Sequence, residues 1–371
     1  MIEINLKSLF NSQVEPCTIN DKVELFKGPR KTIPNSCNPT GSDPLPSVDQ
    51  LHSLKEICPN ACLFSIIPKL YSEETDTASE DECDDIFPQL LSTLYQEPFS
   101  ELKDEELHSY MKDLWTRYQV TDQQITKLEE QTRSQSISNL WYRHREGRIT
   151  ASKVHDVVHM LPSTDPSNLV CRILGYSSSD LSKVPAVKYG LDNESSAREW
   201  YASEMRALHP NFSCRENGFY ICKMKLFLGA SPDGIVACSC CGNGILEIKW
   251  SFKNKLKSVQ EAAKDDCDFC LDESLHLKLN HRYYSQVQFQ MFVVNVQYCD
   301  FVICTDINKH RQRIFFDKSF SQNQVSKSES FFFHHVLPEI FTRKMFSKEQ
   351  ETATDELWCL CQKKASGRMI I

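Results

Sequence analysis

Two neighbouring stretches decide how this chain is read: Gly229-Ala230-Ser231-Pro232-Asp233-Gly234 and, ten residues on, Ile245-Leu246-Glu247-Ile248-Lys249-Trp250. The first is the end of a strand running into a Pro-Asp-Gly turn. The second has the period-2 alternation of a strand, so Glu247 and Lys249 point to one face. If the two strands pair as neighbours, Asp233 and Glu247 meet at one sheet edge. Two carboxylates and the Ile248 carbonyl then make an all-oxygen site suited to a hard divalent cation, Mg²⁺ or Mn²⁺. Such a cation can activate water against phosphorus. Lys249 beside it can orient that water or offset charge in the transition state. Taken singly, the two stretches also describe a hairpin turn and an edge strand with solvated charges; only the combination points to chemistry.

Outward from this pair the texture is mixed. Residues 217–222, 226–230, 245–250, 299–305 and 311–316 read as strands. Residues 189–208 read as a helix opened by Gly190 and Asp192, residues 283–296 as a second with Val287, Met291 and Val294 on one side, and residues 323–345 as a third. Upstream, Leu102, Leu107, Met111, Leu114 and Tyr118 recur at helical spacing, and Thr121 or Asp122 caps a helix around Ile125 and Leu128. Thr150-Ala151-Ser152 reads as a further helix start.

Four blocks, in order, carry a resemblance: Leu140-Trp141 through Arg145-x-Gly147-x-Ile149-Thr150-Ala151-Ser152; Gly190 with Glu194 and Ala197; Ser231-Pro232-Asp233-Gly234 with Leu246-Glu247-Ile248-Lys249; and Tyr283-Tyr284-x-Gln286-Val287-Gln288. In these the sequence resembles the PD-(D/E)xK nucleases, specifically the YqaJ viral-recombinase family related to phage lambda exonuclease. The resemblance implies a restriction-endonuclease-like α/β core, a mixed central sheet flanked by helices, over residues 138–345. It implies that Asp233, Glu247 and Glu194 hold metal together with the Ile248 carbonyl, that Lys249 acts on the attacking water, and that Gln286 is the active-site glutamine. Arg145 and Ser152 correspond to residues that hold a 5′-terminal phosphate, and a guanidinium with a hydroxyl is a ready phosphate pocket. Gln286 and Gln288 lie about 200° apart on an ideal helix, so both cannot face one site; Gln288 is then exposed or structural. Trp250-Ser251 stands where many family members continue with Cys-Pro. The implied activity is a metal-dependent DNA exonuclease running 5′→3′ from duplex ends, with DNA, further copies of the chain and a recombination protein as partners. A non-catalytic DNA-binding or chromatin module derived from such a nuclease, and a hydrolase acting on RNA, are the rival readings; retention of Asp233, Glu247 and Lys249 together argues against the former.

The remaining sequence bounds the class. The chain has 371 residues, 40% hydrophobic and 25% charged, which is globular usage. Residues 1–134 carry 12 Lys and Arg against 24 Asp and Glu, and the rest carry 30 against 26, so a net charge of −8 conceals a mildly basic nuclease region. Residues 1–97 read as an irregular, acidic and poorly ordered extension, residues 98–137 as a helical lead-in. No stretch is long and apolar enough to span a membrane, and the first residues lack the apolar core of a secretory signal. The reading is therefore intracellular, with the nucleus favoured by a DNA substrate. Seventeen cysteines then read as reduced thiols or metal ligands. Cys240, Cys241, Cys267 and Cys270 make a zinc set if their two segments converge. The tail, residues 346–371, with Trp358, Cys359 and Cys361, resembles the start of a PHD finger without its remaining ligands.

Overall fold

A computed structural model describes residues 86–95, 99, 104–176 and 184–346. Nearly all of the acidic extension and the PHD-like tail lie outside the described residues. Helices α1 (Asp104–Arg117), α2 (Asp122–Gln131) and α3 (Asn139–Arg145) lead in. Thr121 caps α2 with a reciprocal box, its hydroxyl accepting from the Gln124 amide and the Gln124 side chain accepting from its own amide. Strand β1 (Ile149–Thr150), α4 (Val154–Val158), α5 (Ser167–Leu174) and α6 (Pro185–Leu208) follow, then β2 (Ser213–Arg215), β3 (Tyr220–Ile221), β4 (Leu228–Ala230), β5 (Gly234–Cys238) and β6 (Gly242–Trp250). The chain continues through α7 (Val259–Asp265), α8 (Arg282–Val294), β7 (Tyr298–Cys304), β8 (Lys309–Phe315), α9 (Lys318–Phe331), a π-helical turn (Phe332–Val336) and α10 (Leu337–Thr342). Among the described residues no helix is long and apolar enough to cross a membrane.

The strands form a small sheet, β1-β4-β3, and a five-stranded mixed sheet, β2-β5-β6-β7-β8. β6 and β7 are parallel, and the other neighbours in the larger sheet are antiparallel. Alternation along β6 sorts its two faces. Leu246 and Ile248 pack with Ala197, Tyr201 and Met205 of α6. Ile245 packs with Val287 and Met291 of α8 and with Phe301 and Ile303 of β7. The sheet thus sits between α6 and α8, and Glu247 and Lys249 fall on the α8 face. A parallel pair needs a long crossover, and the segment joining β6 to β7 supplies it with α7 and α8.

Three sequence expectations are corrected. Helix α6 opens at Pro185, not at Gly190 or Asp192. Proline at the first helical position loses no hydrogen bond, and Gly190 lies inside the helix with nothing within 4 Å of where a side chain would start. Thr150 belongs to β1, paired beside Gly229, so residues 150–152 do not start a helix; α4 begins only at Val154, after a turn. The C-terminal helix starts earlier than 323, at Lys318, where Asp317 caps it by accepting from the Phe320 amide.

Candidate active site

The backbone sets the site. β5 stops pairing with β6 where Gly234 meets Leu246, so the edge of β6 beyond Leu246 has lost its strand partner. Asp233, one residue before β5, fills that gap: its Oδ2 accepts from the Ile248 amide at 2.6 Å. A strand residue turns its N–H and C=O to the same edge, so the Ile248 carbonyl faces the Asp233 side. The side chain of Asp233 has taken the place of a strand neighbour.

Glu247 is 1% exposed. A buried carboxylate without donors is costly, and here three donors surround it. Gln286 Nε2 and Lys249 Nζ each approach Oε1 at 2.5 Å, and Gln290 Nε2 donates to Oε2 at 2.7 Å. Gln286 and Gln290 lie one helical turn apart on α8, the spacing that puts two side chains on one face. Gln288 is indeed structural: its Nε2 donates to the Phe315 carbonyl at 2.9 Å and its Oε1 accepts from the Asp317 amide at 2.8 Å. Gln290 is buried, and its Oε1 has no hydrogen-bond partner among the described residues.

Glu194 approaches from α6 on the other side of the sheet. Arg198, one turn on, pairs with it, donates to Glu216 at 2.7 Å and donates from Nε to the Asp233 carbonyl at 3.2 Å. That guanidinium ties α6 to the turn bearing Asp233. The electrostatics show one shared field. Burial, then the charges of Glu247 and Glu194, push Asp233 well above the ordinary carboxylate range. Burial also raises Glu194, Arg198 opposes it, and Glu247 adds to it. For Lys249, burial pulls downward most strongly, yet Glu247 and Asp233 together outweigh it and hold the ammonium above its usual range. The cluster therefore carries more negative charge than Lys249 neutralises. Its donors are all oxygens, which suits a hard divalent cation. The three carboxylates are not closed to within 4.8 Å of one another as a set; Arg198 holds one and Lys249 another.

Arg145 stands at the end of α3 with its guanidinium 3.8 Å over the Trp141 ring. Among the described residues the guanidinium makes no ion pair or hydrogen bond, and burial brings its pKa down to about 10. Trp141 Nε1 in turn donates to Ser231 Oγ at 2.9 Å, two residues before Asp233. Ser152 is exposed, its Oγ 3.2 Å from Thr150 Oγ1, and among the described residues no hydrogen bond joins it to Arg145. The next residue, Lys153, does lie in the field of Arg145: burial, then Arg145 and Arg172, lower it to about 8. By contrast Arg148, an apparent neighbour in sequence, is wholly buried and donates to Leu226, His144 and Tyr118.

The zinc set is corrected. Cys270 is 3% exposed and packs in the core beneath α8, while Cys267 sits between Asp266 and Asp268. Neither joins Cys240 and Cys241, because the segment after α7 turns back along β8, where the Leu277 amide donates to Gln312 Oε1 and His310 Nε2 meets the Leu275 carbonyl. Sequence reasoning also missed Gln290, Arg198 and Lys153. The first two carry a signal, being one helical turn from Gln286 and Glu194; Lys153 carries none beyond adjacency to Ser152.

Residues 140–297 match the model of the YqaJ-like viral recombinase domain. Among solved structures, the alkaline exonuclease LHK-Exo from Laribacter hongkongensis is 25% identical over 58% of this chain and 100% of its own, with a TM-score of 0.42. The same exonuclease in complex with dAMP is 24% identical over 58% of this chain and 100% of its own, at 0.43. The shutoff and exonuclease protein from Kaposi's sarcoma-associated herpesvirus is 12% identical over 61% of this chain and 75% of its own, at 0.39. No curated protein matches the chain.

Proposed function

We propose that this protein is a divalent-metal-dependent DNA exonuclease, acting 5′→3′ from duplex ends. The observation that carries the reading is Glu247, buried and held by Lys249, Gln286 and Gln290 beside Asp233, itself fixed to the Ile248 amide. A YqaJ-like domain over residues 140–297 supports it, and LHK-Exo, structurally similar, is an alkaline exonuclease with a dAMP complex.

Asp233, Glu247 and the Ile248 carbonyl would hold Mg²⁺ or Mn²⁺, with Glu194 completing the set once Arg198 releases it. That cation supplies Lewis acidity toward a phosphoryl oxygen and lowers the pKa of water. The rest is done by the chain's own residues. Lys249, whose ammonium Glu247 and Asp233 hold above its usual range, serves as a hydrogen-bond donor and a positive charge. Placed against Glu247, it can orient water and offset charge developing on phosphorus. Gln286 and Gln290 keep the Glu247 carboxylate in one orientation, which is the positional precision such a site requires. Arg145, stacked and without an anion of its own among the described residues, takes the 5′-phosphate, with Ser152 and Lys153 at its flank. The hydrogen bond from Trp141 to Ser231 holds that phosphate subsite at a fixed distance from Asp233.

End-labelled duplex DNA incubated with the full chain, with Mg²⁺ or with EDTA, tests the reading. Digestion is expected only with the cation and is expected to vanish in Glu247→Gln. DNA binding without digestion by the wild-type protein would overturn it in favour of a non-catalytic module, and cleavage of RNA alone would move the substrate.

A further inference from the structure

Cys238 ends β5, the turn to β6 carries Cys240 and Cys241, and His209 caps the C-terminus of α6. Their ligand atoms all lie within 4.8 Å of one another. His209 Nδ1 is 3.0 Å from Cys240 Sγ, 3.5 Å from Cys241 Sγ and 3.7 Å from Cys238 Sγ. Cys238 and Cys240 sulfurs are 3.4 Å apart, and those of Cys240 and Cys241 are 3.7 Å apart. We propose that Cys238, Cys240, Cys241 and His209 form a tetrahedral zinc site, separate from the carboxylate cluster, that fastens the end of α6 to the tip of the β5–β6 hairpin.

The dimensions are those of a zinc tetrahedron. Bond lengths of about 2.3 Å to sulfur and about 2.05 Å to nitrogen give edges of about 3.8 Å between sulfurs and about 3.6 Å between sulfur and nitrogen. Four of the five separations above fall within about 0.4 Å of those edges, and the fifth is shorter by about 0.6 Å. A disulfide would need its sulfurs at about 2.05 Å and would leave a thiol and an imidazole unused.

The backbone is prepared for this arrangement. The Cys241 amide donates to Cys238 Sγ at 3.2 Å. Gly242 turns the chain immediately afterwards at φ +72°, a conformation that glycine adopts freely. Two bonds align the segments without any metal: the Ser239 amide donates to the Pro210 carbonyl at 3.1 Å, and Asn211 Nδ2 donates to Ser239 Oγ at 3.0 Å. Charge is also provided for. Three thiolates and one Zn²⁺ leave a net negative site, and Arg313 Nη1 donates to Cys241 Sγ at 3.2 Å while its other nitrogens grip the buried Asp300. The other candidate group, Asp266, Cys267 and Asp268, lacks this character, because Asp266 already holds Lys253 and Asn254, each at 2.8 Å.

The site would position without touching substrate. Glu194 and His209 lie 15 residues apart on α6, about 22 Å at the helical rise. Asp233 immediately precedes β5, and Cys238 closes it. Zinc would therefore pin α6 and the hairpin at the ends remote from their carboxylates, fixing the angle at which Glu194 meets Asp233.

Zinc in the full chain, purified under reducing conditions, is measured by mass spectrometry of the metal. Cys240→Ser and His209→Ala are each expected to contain about one equivalent less than wild type, while Cys267→Ser and Glu247→Gln keep the wild-type amount. A second measurement needs no variant: alkylation of Cys238, Cys240 and Cys241, read by peptide mass spectrometry, should be slow in the protein as isolated and fast after a strong chelator. Unchanged zinc in both site variants, loss of the same equivalent in Glu247→Gln, equal alkylation before and after chelation, or a disulfide within residues 238–241 would each overturn the proposal.

Discussion

Replacing Gln290 by leucine isolates what the second oxygen of Glu247 contributes. The two side chains are close in volume, so no large cavity opens. Two opposed effects then act on stability. The bond from Gln290 Nε2 to Glu247 Oε2, 2.7 Å long, is lost; a hydrogen bond to a charged group is worth about 1.5–3 kcal/mol. At the same time the buried Gln290 Oε1, which has no partner, is removed, and that relieves about 1–3 kcal/mol of uncompensated desolvation. The net change in unfolding free energy should stay within about 2 kcal/mol. Catalysis has no such compensation. If the lost bond counts in full toward positioning Glu247 in the transition state, kcat falls about 10- to 160-fold, with KM nearly unchanged. Urea unfolding and single-turnover digestion of a labelled duplex measure the two quantities on one preparation. An unchanged kcat, or a fall in activity matched by a stability loss well above 3 kcal/mol, would refute the positioning role.

Arg145→Ala should slow digestion of 5′-phosphorylated ends more than 5′-hydroxyl ends, because the guanidinium over Trp141 has no anion of its own among the described residues; equal slowing on both ends would remove it from the phosphate subsite. Lys153, lowered to about 8 by burial and by Arg145, should confer a pH dependence on end binding. It is charged below that value and an arriving phosphate draws its pKa back up, so the affinity advantage of a 5′-phosphate should be full at lower pH and decline as pH rises past it. Lys153→Gln should flatten that decline, as measured by competition between the two kinds of end across a pH series.

The centre of the site was legible because its residues are close in sequence or repeat with a simple period. Strand alternation alone puts Glu247 and Lys249 on one face; the strand ending at Ala230, expected to pair with theirs, lies in the smaller sheet, and it is β5, just after Asp233, that pairs with β6. Gln286 was separable from Gln288 by helical angle, yet the same geometry names Gln290, one turn further, which the block resemblance stopped short of. Strands β6, β7 and β8 were read from their apolar and β-branched runs; β7 is buried at every residue, which leaves a continuous apolar stretch. Strand β5 was not, since Gly234-Ile235-Val236-Ala237-Cys238 is short and begins in a turn. Thr150 looked like a cap because its side chain suits one, but pairing of β1 with β4 decides its place. The partner of the hairpin cysteines was invisible for a different reason. His209 precedes Cys238 by 29 residues, and only the antiparallel return of β2 along β5 brings the two segments together.

Ile248 carries a lesson about mutational tolerance. Its side chain packs toward α6, while its amide and carbonyl serve the Asp233 edge, so exchanging it for valine or leucine would leave those polar groups where they are. Amino-acid tolerance at that position therefore says little about its chemical part. Frame matters more than letter: deleting one residue between Cys241 and Glu247 would keep every acid and lysine in the chain yet turn them over to the opposite side of the sheet. Related chains are accordingly better compared by the spacing between their hairpin acids than by percentage identity along the strand.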